Sequence, residues 1–243
     1  MKPNKLIVAL DVDTAEQARR LVAQLRDVVG MFKVGSQLFT AAGPDLVREI
    51  VNGGNQIFLD LKFHDIPNTV AAAAVEATRL GVSIFNVHAS GGSEMMERTA
   101  HAVSETAQEE QLPKPKVIAV TLLTSANEAT LHEKGIDAQP DKLVTHLARM
   151  AASAGLDGVV ASALEAPVIR RATSPDFLIV TPGVRPAGAT EGDQKRITTP
   201  REAIERGADY IVVGRPILNA SDPVLAAAQI VGEITGVSQL AAR

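Results

Sequence analysis

Short apolar runs alternate with longer amphipathic segments along the whole chain. The runs are Leu6–Leu10, Met31–Gly35, Gln56–Leu59, Ile84–His88, Val117–Thr124, Gly158–Ser162, Phe177–Thr181 and Tyr210–Val213. Near-continuous apolar runs of this length mark parallel strands covered on both faces. After the first run, Thr14 stands as an N-cap, with Ala15, Ala18, Leu21, Val22 and Leu25 at helical spacing, so a helix is expected to about residue 27. Further helices are expected over 44–51, with Pro44 in the first turn, over 67–80, stopping at Gly81, and from Gly91-Gly92 to about 110. The remaining ones cover 141–154, 166–171, 200–206 and 223–234, with a polar insertion after the fifth run. Eight β-then-α units with no break in composition predict an α/β fold, one closed (β/α)8 TIM barrel spanning 1–243 as a single domain. An open doubly wound sheet is the competing architecture, and the count of eight favours the barrel.

Composition narrows the class. Hydrophobic residues make up 46% but aromatics only 3%, so the core must be built from Ala, Val, Leu and Ile. The net charge of −4, with both signs interspersed, supplies no basic footprint for nucleic acid or a membrane surface. Without cysteine there is no disulfide, thiolate nucleophile or Cys-ligated zinc. No run approaches the ~18 apolar residues of a membrane span, and the apolar run after Lys5 is short for a secretion signal. A soluble cytoplasmic protein is the expectation.

The chemistry-bearing residues collect at the ends of the runs, where barrels of this type place their sites. Asp11 follows the first run, Lys33 lies in the second, and Asp60, Lys62 and Asp65 follow the third. Thr124 ends the fifth, Pro182-Gly183-Val184-Arg185 follows the seventh, and Gly214-Arg215 follows the eighth. Alternation along a strand puts Asp60 and Lys62 on one face and Leu61 on the other. Ions at the end of a buried strand cost on the order of several kcal/mol each unless they pair or perform chemistry. An Asp-x-Lys pair alone reads as an ion pair closing a strand; charges after five of eight strands read as a site. The last two connections, with Gly183, Arg185, Gly188, Gly192, Gln194, Gly214 and Arg215, suit an anion such as phosphate. The long loop over 182–199 has the length of a lid.

Asp60-x-Lys62-x-x-Asp65-Ile66-Pro67-Asn68-Thr69 resembles the motif of the orotidine 5'-phosphate decarboxylase family. The likeness extends, in order, through Ala9-Leu10-Asp11, Phe32-Lys33-Val34-Gly35, Val120–Ser125, Thr181–Arg185 and Val213–Pro216. Asp-x-Lys-x-x-Asp alone is shared with metal-dependent sugar-phosphate relatives; the continuation from His64 to Thr69, together with Lys33, separates the two. The resemblance implies decarboxylation of orotidine 5'-monophosphate to UMP without cofactor or metal. Lys62 would protonate C6 of the pyrimidine, a role that suits a cation able to offset and then neutralise a carbanion. Asp60 would sit beside the substrate carboxylate, and Asp11 and Lys33 would hold ribose hydroxyls and the charge array. Asp65, Ile66 and Thr69 would reach a second subunit's site, implying a homodimer with shared active sites. Thr124 or Ser125, with Thr124 preferred, would meet the pyrimidine amide edge near Pro182, while Arg185, Gln194, Gly214 and Arg215 would hold the phosphate.

Two other readings compete. A magnesium-dependent sugar-phosphate aldolase or decarboxylase would want an acid where this chain has Lys33. A catalytically silent phospho-ligand binder would not need Asp60, Lys62 and Asp65 together. His64 and His88 lie near the rim in supporting positions, and His101, His132 and His146 fall in or near helices.

Overall fold

The structure, a computed structural model, describes residues 4–124, 126–186 and 198–236. Eight strands pair in parallel in sequence order: β1 (Leu6–Ala9), β2 (Met31–Gly35), β3 (Ile57–Phe63), β4 (Ile84–His88), β5 (Lys116–Val120), β6 (Gly158–Val160), β7 (Leu178–Thr181) and β8 (Tyr210–Val213). Pairing of β1 with β8 closes the barrel, as the count of runs predicts. Outside it lie α1 (Ala15–Leu25), α2 (Ser36–Asn52), α3 (Pro67–Arg79), α4 (Ser93–Glu109), α5 (Glu128–Glu133), α6 (Pro140–Ser153), α7 (Ala166–Ala172), α8 (Pro200–Glu205), α9 (Arg215–Leu218) and α10 (Pro223–Thr235).

Two apolar layers explain why every strand is hydrophobic on both faces. Ile7, Phe58, Ile84, Ile118, Val180 and Val212 meet inside the barrel. Their neighbours Val8, Leu59, Phe85, Val159, Ile179 and Ile211 pack outward in the layer that also holds the helix residues. Each such side chain contributes roughly 1.5–3 kcal/mol relative to remaining exposed. The period of two then decides the chemistry: Lys33, Asp60 and Asn86 stand two residues beyond the inward-facing Met31, Phe58 and Ile84.

Local signals set the helix starts. Thr14 Oγ1 accepts from the Gln17 N–H at 3.2 Å while Gln17 Oε1 accepts from the Thr14 N–H at 3.1 Å, the reciprocal cap expected there. Proline occupies the first turn of α3, α6, α7, α8, α9 and α10, where its missing N–H is harmless.

Some boundaries differ from the sequence expectation. Helix α2 begins at Ser36; Gly43, at φ 69°, breaks it, and the expected segment from Pro44 is its second part. Strand β5 ends at Val120, not Thr124, because Leu122, Leu123 and Thr124 leave the sheet to line the mouth of a cavity. Their apolar character mimics a strand. Short α5 occupies the polar insertion, capped reciprocally by Asn127 and Thr130, and α9 follows β8 directly. Both are too short to write a helical period.

The opposite end of the barrel is stapled. Arg170 donates to the carbonyls of Pro175, Phe177 and Gly207 at 2.7–2.9 Å and to Asp209 Oδ2 at 2.7 Å; the same oxygen accepts from the Ile179 N–H at 2.8 Å. Asp157 does likewise for β5, accepting from the Val117 N–H at 2.9 Å and pairing with Lys116 at 2.8 Å.

Candidate active site

The rim carries a continuous chain of alternating charge. Lys33 Nζ lies 3.0 Å from Asp11 Oδ1 and 3.4 Å from Asp60 Oδ2, and Lys62 Nζ lies 2.7 Å from Asp60 Oδ1. Lys33 is buried, Asp60 nearly so, and Asp11 and Lys62 are partly open to solvent. Lys33 starts a layer below the rim, in register with Ala9 of β1 and Phe58 of β3, and its stem climbs past Gly35, itself paired with Asp60. A Cβ on Gly35 would lie 2.9 Å from Lys33 Nζ, so glycine leaves the path open.

Asp60 and Lys62 do share one face, but simple alternation is not the reason. In the β3–β4 register Leu59 pairs with Phe85 and Phe63 with Val87, so four steps on β3 match two on β4. The extra length is a bulge, a device common beside active sites. Within it Lys62 adopts φ 54°, a region that costs a non-glycine residue about 1–3 kcal/mol. The Lys62 N–H donates to Asn86 Oδ1 at 2.8 Å, and Asn86 Nδ2 donates to Asp60 Oδ1 at 2.7 Å. Asn86 was not among the residues expected to matter. Its trace in the sequence is an amide inside the otherwise apolar body of the fourth run.

Two adjoining cavities open at this rim. One, of about 280 Å³, has an apolar floor of Phe58, Val120, Val160 and Val212 and holds Lys33, Asp60, Lys62, Thr124 and Pro182 in its wall. The second, of about 150 Å³, is bounded by Asp11, Gly183, Arg185, Gly214 and Arg215 and shares Lys33, Pro182 and Val212 with the first. A flat heterocycle suits the apolar floor, and an anion suits the end bearing Arg185 and Arg215. Arg185 is buried, and its N–H donates to the Thr198 carbonyl at 3.1 Å. Gln194 and Ser125 lie outside the described residues.

The segment after Lys62 behaves differently. Asp65, Ile66 and Thr69 are exposed and line neither cavity, and Asp65 Oδ1 accepts from the Ile66 N–H at 2.6 Å. Ile66, a large apolar side chain, is 67% exposed. His64 and His88 have ring centroids 5.3 Å apart. Burial pushes the His88 pKa below its ordinary value, helped by His64, Lys62 and Lys134 and opposed by Asp60.

Among the described residues no three His, Cys, Asp or Glu side chains gather as a metal site would require. No described helix is long and apolar enough to cross a membrane.

The fold and rim define a (β/α)8 barrel with an alternating Asp–Lys array beside a cavity lined by two arginines. The chain belongs to the orotidine 5'-phosphate decarboxylase / HUMPS family, whose model matches residues 4–230. It is 57% identical over 231 residues to the orotidine 5'-phosphate decarboxylase of Syntrophotalea carbinolica, covering 95% of this chain and 94% of the relative. Identity to the Geobacter sulfurreducens enzyme of the same name is 55% over 230 residues, 95% of each chain. The crystal structure of orotidine 5'-phosphate decarboxylase from Lactobacillus acidophilus superposes with a TM-score of 0.83 at 40% identity, covering 95% of this chain and 99% of that one.

Proposed function

We propose that this chain decarboxylates orotidine 5'-monophosphate to UMP, the closing step of pyrimidine nucleotide synthesis, as a cytoplasmic enzyme needing no cofactor. The observation that carries the reading is the Lys62 ammonium, 2.7 Å from Asp60 in the wall of an apolar-floored cavity that adjoins the Arg185 and Arg215 end. Carbon dioxide leaving C6 deposits an electron pair that no neighbouring carbonyl delocalises. Stabilisation must then come from fixed charge, which acts strongly where water is excluded. Lys62 supplies the positive charge and then the proton; the pair ends in a C6–H bond. Asp60 holds Lys62 and meets the substrate carboxylate, Lys33 and Asp11 order the array and the ribose hydroxyls, and Thr124 and Pro182 border the base. Arg185, Gly214 and Arg215, with Gln194, hold the phosphate, and this remote binding offsets the cost of assembling the charged site.

Loss of orotidine monophosphate absorbance, followed with EDTA present, tests the proposal. Native protein should turn over, and Lys62→Ala should lose about 10²–10⁴-fold or more in kcat. No native turnover, or an undiminished variant, refutes it. Sensitivity to EDTA would favour the magnesium-dependent reading instead.

The same proposal makes the working unit a homodimer, with Asp65, Ile66 and Thr69 completing a second subunit's site. The exposure of these three residues and their absence from the linings of the two rim cavities support it. Mixing inactive Asp60→Ala and Asp65→Ala chains should restore activity, because mixed dimers contain one intact site. Silence after verified subunit exchange contradicts it.

A further inference from the structure

We infer that Asn86 is a positioning residue for this decarboxylation, holding both the strained Lys62 backbone and the Asp60 carboxylate in reactive register. The inference rests on the proposed activity and adds a residue to its machinery.

Asn86 is fully buried in the middle of β4. A polar side chain there is destabilising unless both ends of its amide find partners. Each end finds one in the reactive segment of β3, the Lys62 N–H and the Asp60 carboxylate. The position follows from the bulge. Asn86 stands between the two β4 residues, Phe85 and Val87, whose β3 partners are four residues apart. Where backbone pairing is interrupted, its side-chain oxygen replaces the missing acceptor. The chemistry of the two partners fixes the residue type: a backbone N–H can only donate and a carboxylate can only accept. One neutral group must therefore accept at one end and donate at the other, and asparagine does so at this reach. Without it, the Lys62 N–H loses its acceptor, and relaxation toward ordinary extended backbone swings Nζ away from Asp60.

The charged surroundings make a sharp test possible. Position 86 faces Asp60 and Lys62 from β3, Lys33 of β2 through Asp60, His88 along its own strand, and the apolar Ile118 in register on β5. In Asn86→Asp the introduced carboxyl, when ionised, opposes Asp60 and cannot donate to it. When protonated it donates again while still accepting from the Lys62 N–H.

Steady-state kinetics, UMP affinity and circular dichroism should be measured on native protein, Asn86→Ala and Asn86→Asp across the pH range. Asn86→Ala should fold, bind UMP within about threefold of native and lose about 10²-fold in kcat, the scale of a ~1 Å misplacement of reacting groups. In Asn86→Asp the deficit relative to native should be largest at alkaline pH. It should shrink as pH falls, by up to about tenfold per unit, as the introduced carboxyl protonates. An Asn86→Ala kcat within threefold of native overturns the inference, as does a pH-independent Asn86→Asp deficit. Loss of folding or of UMP binding in both variants also overturns it, since Asn86 would then be a core residue alone. Inactive native protein would instead refute the proposed function.

Discussion

The ammonium of Lys33 occupies the place a side chain on Gly35 would need. Lys33 is anchored one layer below the rim, and a Cβ on Gly35 would meet its Nζ at 2.9 Å. Gly35 itself has φ −95° and ψ 179°, extended backbone open to any residue. Gly35→Ala should therefore fold normally, with a melting temperature within about 2 °C of native. Its flexible neighbour Lys33 must yield, loosening its contacts with Asp11 and Asp60. A fall in kcat of about 10–100-fold is expected; unchanged kinetics would show that Lys33 is not held by this contact.

The anion end should respond in binding. Under the proposed function, Arg215→Ala would remove a charge-assisted contact of about 1.5–3 kcal/mol to the substrate phosphate. kcat/KM for orotidine monophosphate should fall about 10–100-fold, while binding of the free base orotate stays the same. An equal loss for both ligands would move Arg215 away from the phosphate.

Stability at mildly acidic pH should carry the mark of His88. Its pKa in the folded protein lies below the ordinary 6.5 at which it titrates in the unfolded chain. Between the two values the unfolded chain binds more protons, so stability falls as pH falls through that window. Denaturant unfolding from about pH 7 to 5 should show a shallower decline for His88→Gln than for native protein. Identical slopes would mean that His88 titrates alike in both states.

Arg170 lies at the end of the barrel away from the chemistry. Arg170→Ala leaves three carbonyls without their guanidinium donor and Asp209 without its partner. A loss of about 2–4 kcal/mol is expected, lowering the melting temperature by roughly 5–15 °C in a chain of this size. kcat at low temperature should be unchanged, because that end of such barrels serves stability.

The barrel was legible because eight apolar runs recur with helical segments between them, and closure follows from that count. Asp11, Asp60 and Lys62 were legible because charge follows apolar runs at their ends, and Lys33 because it interrupts one. Leu122 and Leu123 were misread as strand because a cavity wall and a strand share one alphabet. The bulge at Lys62 had no local cue: it arises from register against β4, a relation between segments 24 residues apart. Asn86 was hidden for the same reason, since its partners lie on the neighbouring strand.

The alternating chain from Asp11 to Lys62 sums to no net charge, and the protein as a whole carries −4. Viewed from solution, this charged array therefore offers an approaching anion almost no pull. Arg185 and Arg215, at the far end of the joined cavities, add two cationic side chains to the linings. Under the proposed function, the phosphate is the part of the nucleotide that this end would attract. Added salt should then lower kcat/KM while leaving kcat unchanged.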